Sequence, residues 1–482
     1  MTVCRVVVVG AGVSGLVAAR ELTKHPELEV ICLEGSDRVG GQLHTLEIDG
    51  AAVDVGAEAI HLGAPHVAAL VRELGLAERV VGAARGASVM GTRKGLRPLP
   101  AGVGPTGPTK IWPVLKSGIL TPRGLLRAGL EPLMARRRVP EDVTVGSFTQ
   151  GRFGKEVTDT FVDPLLGNLH GGDVHRLSLQ ATAPQLVADA SNGTSMLLKN
   201  LHLPAPLAGL AARVRRTPAP GSPRPGASRG GSALPMFATW PGGLQELTAA
   251  LAAEVDVRTD ARVTGLEREG QGWRVLVEGQ EPLLADHVLL TAPGAASAEL
   301  LREHCPQAAA LYDHVPMASV ATVVLGYEPA AATANPTLRD HNGILLPSNL
   351  VRTFKAATNL SRKWPGLGAR HHLMRASVGR FGSSLAEELT DEQMTRRVAD
   401  EISDLTGLAA RPELAQVHRW PASMPQLQPG HKDRVEAARD ALATVGGITI
   451  AGCSVDGLGI GSTVKSGQQA AREIITTCKD KD

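Results

Sequence analysis

The chain has 482 residues, of which 43% are hydrophobic and 20% charged, with a net charge of +2, values that fit a globular enzyme of two or three domains. The near-neutral balance excludes charge-driven nucleic-acid binding, and no apolar run is long enough to span a bilayer. With only six Phe, five Trp and two Tyr the cores must rest on Leu, Val and Ala, and Cys4, Cys32, Cys305, Cys453 and Cys478, lacking metal-ligand or redox spacing, read as buried apolar thiols.

Val6–Val9 predicts a buried strand, and Gly10-Ala11-Gly12-Val13-Ser14-Gly15 a turn running into a helix. Gly10 permits the turn, Gly12 lets backbone N–H groups approach a pyrophosphate, and Gly15 lets helix and strand pack closely. The phosphates then lie at a helix N-terminus, where unpaired N–H groups and the helix dipole favour negative charge. A second strand, Ile31-Cys32-Leu33, ends on Glu34, an acid placed to accept from a ribose 2′-hydroxyl and to repel the 2′-phosphate of NADP. Strand, turn, helix, strand and acid together predict a dinucleotide site. The N-terminus enters this strand at once, which leaves no room for a secretory signal and predicts a cytoplasmic protein.

Next come Arg38-Val39-Gly40-Gly41, Ile48-Asp49-Gly50 and Asp54-Val55-Gly56-Ala57-Glu58. The E-x-x-x-R-x-G-G run followed by D-x-G-A-E resembles the flavoprotein amine-oxidase superfamily, which binds FAD. That resemblance implies a Gly40-Gly41 loop lying along the flavin-side phosphate, with an arginine to pair with it. Helical periodicity follows over Val67–Leu76 and, between Gly- and Pro-rich loops, over residues 90–205. Within it, Leu120 to Arg138 aligns Leu126, Leu130, Leu133 and Met134 on one face and ends in Arg136-Arg137-Arg138. Three uses stay open for that segment: a core-packed helix with a solvated basic end, a helix on an anionic membrane, and steering of a polycarboxylate substrate.

Arg213 to Gly231, dominated by Pro, Gly, Ser and Arg, predicts a mobile loop. Trp240-Pro241-Gly242-Gly243-Leu244 opens a helix to Ala253, strands are expected at Val255–Arg258, Ala261–Glu267 and Trp273–Glu278, and His287–Pro293 reads as a buried strand ending in a turn. Strand and helix patterns alternate over 298–409, and Ile448-Thr449-Ile450 leads to a last helix over Ser466–Ile475. Between them, Asp456-Gly457-Leu458-Gly459-Ile460-Gly461-Ser462 reads as a glycine turn that carries a helix N-terminus toward the flavin ring, or as a plain helix cap.

A finer resemblance rests on Leu99-Pro100-Ala101-Gly102, Phe161-Val162-Asp163-Pro164-Leu165-Leu166-Gly167, Gly172-Asp173, Arg176-Leu177-Ser178-Leu179-Gln180-Ala181-Thr182, Lys363-Trp364-Pro365, Arg419-Trp420, Met424-Pro425-Gln426, Gly430-His431 and Gly457-Leu458-Gly459-Ile460. These are similar to the porphyrinogen oxidases of haem biosynthesis, over nearly the whole chain. The Pro100-Ala101-Gly102 loop leading to Pro108-Thr109-Lys110 is most similar to the Gram-positive type, which acts on coproporphyrinogen III. The resemblance implies an α/β fold in which an FAD-binding Rossmann-type domain is interleaved with an α+β substrate domain and a helical domain associated with membrane surfaces. The expected division is 1–88, 233–297 and 410–482 for FAD binding, 89–210 for the helical domain, 211–232 for the flexible loop and 298–409 for the substrate domain. It implies as cofactor-binding residues Gly10, Gly12, Val13, Ser14, Gly15, Glu34, Gly35, Arg38, Gly40, Gly41, Gln42, Gly56, Ala57, Glu58, Val263, Thr291, Trp420, Gly452, Gly457, Gly459 and Ile460.

The implied reaction oxidises coproporphyrinogen III or protoporphyrinogen IX to the porphyrin in successive flavin cycles, passing electrons to oxygen. No second nucleotide fingerprint offers NAD(P)H as a partner, no metal site is expected, and a homodimer and peripheral membrane contact stay open. Candidate bases are His170, Lys363 and His44, and Arg176, Lys363 and His44 are candidate partners for substrate propionates. His371, His372 and His431 are further candidate bases that also read as surface or satisfied loop histidines, as does His170, and Lys355 reads as structural. The chain departs from the family at Gly167-Asn168-Leu169-His170-Gly171-Gly172, at Leu427 and Val455 where aromatics are usual, at Gly461-Ser462-Thr463, and at His44 where Arg is common. These departures keep two alternatives beside the porphyrinogen reading: a flavin oxidase or dehydrogenase of an amine or other small molecule in secondary metabolism, and a binder without turnover.

Overall fold

The structure, a computed structural model, describes residues 3–139, 141–199 and 234–479. The expected loop over 211–232 lies outside the described residues.

Strand β1 (Cys4–Val9) is buried along Val6–Val9 on both faces, which is why its sequence is a continuous apolar run. It hydrogen-bonds in parallel to β2 (Leu28–Leu33) through the crossover helix α1 (Val13–Thr23). The completed five-stranded parallel sheet runs Asp256–Arg258, β2, β1, His287–Leu290, Ile448–Ile450. Three remote stretches of chain build one sheet, so the nucleotide-type domain is interleaved as expected. On one face α1 packs against the C-terminal helix Ile460–Lys479, burying Leu16, Val17, Leu22, Val464 and Ile474. The other face is covered by Gly294–Leu301, Pro306–Asp313 and His431–Val445 through Leu301, Leu311, Tyr312 and Leu442.

A second sheet has seven strands in the order Leu414–Pro425, Met317–Tyr327, His372–Val378, Phe354–Asn359, Gly343–Leu345, Val89–Thr92, Gly95–Pro98. Its strand pairing corrects the expected division at both ends. Residues 89–98, assigned from the sequence to the helical domain, form a hairpin on this sheet. Residues 414–425, assigned to the FAD domain, pair along Met317–Tyr327. The hairpin strands have four residues each and Leu414–Pro425 has 12, and in both cases only partners remote in sequence reveal the sheet they belong to.

The helical region begins at Ile111 and is centred on Phe148, Phe153, Phe161 and Leu166. A fully buried ion pair, Arg152 with Glu131 at 3.4 Å, ties its helices together and is completed by Ser195 and the backbone of Met196 and Asp189. Leu120 to Arg138 is not one helix. It breaks into Pro122–Gly129 and Glu131–Met134, and Leu126 and Leu133 of the expected face do not reach the core, being 72% and 55% exposed. The segment still packs on the helical core, through Leu120, Leu125 and Ala128, while the face marked by the sequence stays in solvent.

Two further corrections concern the chain ends. Cys4 and Cys478, read as separate thiols, form a disulfide between β1 and the C-terminal helix. That helix is also longer than the expected Ser466–Ile475, starting immediately after the Gly457-Leu458-Gly459 turn.

Candidate active site

The dinucleotide turn has the geometry its glycines predict. A Cβ on Gly15 would fall 1.9 Å from the Gly10 carbonyl oxygen, so only glycine lets α1 meet the end of β1. At Gly12 a Cβ would find no described atom within 4 Å, which leaves an open cradle at the helix N-terminus where a pyrophosphate fits. Thr291 closes the turn from the neighbouring strand by donating to the Gly10 carbonyl at 2.8 Å, so its side chain locks the loop. Ser14 likewise turns away, donating to the Thr463 carbonyl, and Val13 is buried. What these two offer a ligand is their place at the helix N-terminus.

Glu34 ends β2 as expected. Its carboxylate accepts from the Ala11 N–H at 2.9 Å and from both donors of Ser36, and keeps lone pairs for a ribose hydroxyl. Gly35 and Val263 flank this end of the sheet, Gly35 lying against Arg262 and Val263 opening the small antiparallel sheet beside it. Arg38 departs from the expectation of a phosphate partner: it donates to the carbonyls of Gly41, Val39 and Leu43 and braces the glycine loop. Gly40 bridges to Gly12, which lays that loop beside the cradle.

Beyond this frame lies a cavity of about 490 Å³ between the two sheets and the helical region. Gln42, Gly56, Ala57, Glu58, Trp420, Gly459 and Ile460, all expected to bind the cofactor, line one side. Trp420 donates to the Val55 carbonyl and Gln42 to that of Ser423. Gly457 and Gly459 have φ of 106° and 100°, a conformation that releases the chain into the last helix with Ile460 at the cavity wall. Gly452 sits behind, donating to Ser466.

The opposite wall comes from the second sheet and from Thr158–Gly167, which is wound in the wide i→i+5 pattern around Pro164. Such a segment re-aims side chains at functional sites. Here it presents Pro164, Leu165, Asn168, Leu169 and His170 to the cavity. His170 is 6% exposed, its Nδ1 has no partner, and burial depresses its pKa to about 4, so the ring is neutral.

Lys363 reaches the cavity but is engaged: its ammonium lies 2.7 Å from Glu58, which also pairs with Arg375 at 3.3 Å. Burial pushes the Glu58 carboxyl up, but the two cations outweigh it and hold the group at about 2. The other candidates lie elsewhere. His44 packs edge-on against His418 and Trp420, outside the cavity lining. Arg176 is solvent-exposed and stacks on Phe381. His431 donates from Nε2 to the Val455 carbonyl behind the cavity, and His371 pairs with Asp49 and Glu413 at the surface.

Polar cavity residues not assigned to the site from the sequence include Arg375, Thr322, Ser377 and Lys355. Lys355, read as structural, faces the cavity and is 4% exposed. Its signal was a lone charge in the otherwise small and apolar strand Phe354-Lys355-Ala356-Ala357. No group of three metal-ligating side chains occurs among the described residues.

Comparison with known proteins agrees with this frame. The profile of the flavin-containing amine oxidoreductases matches residues 13–475, and the chain belongs to that family. Among curated relatives, coproporphyrinogen III oxidase of Bacillus subtilis is 29% identical, with 98% of each chain covered. Coproporphyrinogen III oxidase of Mycobacterium tuberculosis is 31% identical, covering 97% of this chain and 96% of that one. A solved protein of Exiguobacterium, assigned as a protoporphyrinogen oxidase, has the same fold at a TM-score of 0.82 and 24% identity, with 98% of this chain and 99% of that chain covered. FAD is the cofactor of this frame.

Proposed function

We propose that the chain oxidises a porphyrinogen, coproporphyrinogen III foremost, to the corresponding porphyrin and passes the electrons to oxygen. The relatives that match it end to end carry that activity in their names. The observation that carries the reading in the molecule itself is the charge of the cavity. Lys355, Lys363 and Arg375 line it against the single carboxylate of Glu58. Such a wall attracts a polycarboxylate and repels an ammonium, which disfavours amines as substrates. The remaining lining, from Val55, Ala57, Leu165, Leu169, Val320 and Met424, suits the faces of a macrocycle.

FAD, when bound, supplies the two-electron acceptor. The protein holds the pyrophosphate at Gly12 and excludes water with the apolar lining. It also sets the N-terminus of Ile460–Lys479 at the wall, where negative charge builds during electron transfer. His170, which lines the cavity and is kept neutral by burial, is the candidate for accepting a proton from the macrocycle. Anaerobic bleaching of the flavin by coproporphyrinogen III, followed in air by porphyrin fluorescence and peroxide, tests the reading. It fails if FAD-loaded protein responds to neither coproporphyrinogen nor protoporphyrinogen.

A peripheral membrane position belongs to the same proposal. Trp112 is 70%, Leu126 72% and Leu133 55% exposed, and Lys110, Lys116, Arg123 and Arg136–Arg138 lie close to them in sequence. Exposed apolar anchors with basic neighbours suit the interface of an anionic bilayer. Among the described residues no helix is long and apolar enough to cross a membrane.

A further inference from the structure

The strand Phe354–Asn359 breaks its alternation at one place. Phe354 pairs with Val378 and Ala356 with Ser377, so Lys355 is an extra residue, a β-bulge against the neighbouring strand. Phe354 and Ala357 both enter the hydrophobic core behind the sheet, whereas Lys355 and Ala356 both line the cavity. A regular strand would have sent one of that adjacent pair into the core. The bulge is what places Lys355 in the cavity, a use common to bulges beside functional sites.

Its surroundings hold the backbone and leave the charge alone. The Lys355 carbonyl accepts from the Leu346 N–H and from the Asn168 side-chain amide, both at 2.9 Å. The ammonium lies over Gly171, where even a Cβ would come within 3.3 Å of it. The charged and titratable groups around it are Arg375 on the adjacent strand, Arg380 beyond that strand, and His170, Lys363 and Glu58 across the cavity. Glu58 is already held by Lys363 and Arg375. Lys355 thus has no carboxylate partner among the described residues. Burial, and then Arg380 and Arg375, lower its pKa to about 7. A buried ammonium with no counter-ion is costly, and a ligand anion would complete it.

We infer that Lys355 is the specificity-determining anchor for a carboxylate of the substrate, the bulge and the open face of Gly171 together forming the seat for that group. The identity of the anion, a propionate, rests on the porphyrinogen reading; its charge does not. Lys363 and Arg375 organise Glu58 and the cavity wall, and Lys355 remains to receive the ligand.

The test uses FAD-loaded wild type, K355M and K355R, each checked for flavin content and melting temperature, titrated with coproporphyrin III and separately with benzoate while the flavin spectrum is followed from pH 6 to 9. The ammonium, not the neutral amine, holds an anion. Wild-type affinity for both probes should therefore be flat below about pH 7 and fall above it, by up to tenfold per unit. K355M should bind both about 10- to 100-fold more weakly with no such slope. K355R should bind well without the slope, because its guanidinium does not titrate in this range. If benzoate follows this pattern but wild type does not bind coproporphyrin III, the anchor stands and the porphyrinogen reading falls. If wild type binds coproporphyrin III and K355M binds it equally well with the same pH profile, the anchor is overturned and the porphyrinogen reading is untouched. If wild type binds neither probe, the anchor is overturned.

Discussion

Gly12 and Gly15 differ by three positions and have opposite physical duties, which separates cofactor binding from folding. Gly15 stands where a methyl group would strike the Gly10 carbonyl, so Gly15→Ala should destabilise the protein by about 2–4 kcal/mol, read as a lower melting temperature with or without FAD. Gly12 has an extended backbone, φ −72° and ψ 179°, and open space at its Cβ. Gly12→Val should therefore leave the stability of the FAD-free protein within about 0.5 kcal/mol of wild type and yield nearly colourless protein. Glu58 offers a second residue-level check, by pH. Its carboxyl titrates near 4.5 when unfolded and near 2 when paired with Lys363 and Arg375, so the folded state favours the ionised form. The pairing contributes fully above about pH 4.5 and is lost as pH falls toward 2. Acid titration of stability should show this loss, on the order of 1–3 kcal/mol, and Glu58→Gln should flatten it. The residues of the cofactor frame were legible because each duty, a turn, a close approach or a capping acid, is local in sequence. Lys355 and Arg375 were not, since a lone cation on a strand shows neither which face it takes nor whether an acid from a distant segment meets it.

At the scale of elements, periodicity read the parallel sheet well, because β1 and its neighbours are buried on both faces and announce themselves as apolar runs. It failed where an element depends on a distant partner. The hairpin at residues 89–98 and the strand Leu414–Pro425 are short or polar, and their membership follows from pairing with remote strands. The wide helix Thr158–Gly167 and the bulge at Lys355 are irregular insertions of the kind that hydrophobic period cannot register, yet they shape one wall of the cavity. The face marked by amphipathic spacing over Leu120 to Arg138 is exposed at Leu126 and Leu133, and periodicity identifies such a face without naming its partner. If that partner is a bilayer, Trp112→Ala with Leu126→Glu and Leu133→Glu should reduce co-sedimentation with anionic vesicles at least several-fold while leaving flavin content unchanged. Undiminished sedimentation would remove the membrane reading.

For the whole molecule, the Cys4–Cys478 bridge joins the first strand to the last helix across 474 residues of sequence. Closing so long a loop restricts the unfolded chain, and Cys4→Ser should cost about 3–5 kcal/mol, seen as a melting temperature that no longer responds to a reducing agent. The same bridge has a consequence for covalent continuity. The polypeptide between the two cysteines is a closed ring, so one peptide-bond cut anywhere within it opens the ring without dividing the molecule. A single proteolytic nick would then leave one species on a non-reducing gel and two fragments on a reducing one. An activity that survives the nick under oxidising conditions would disappear when thiol is added, provided that the two pieces part.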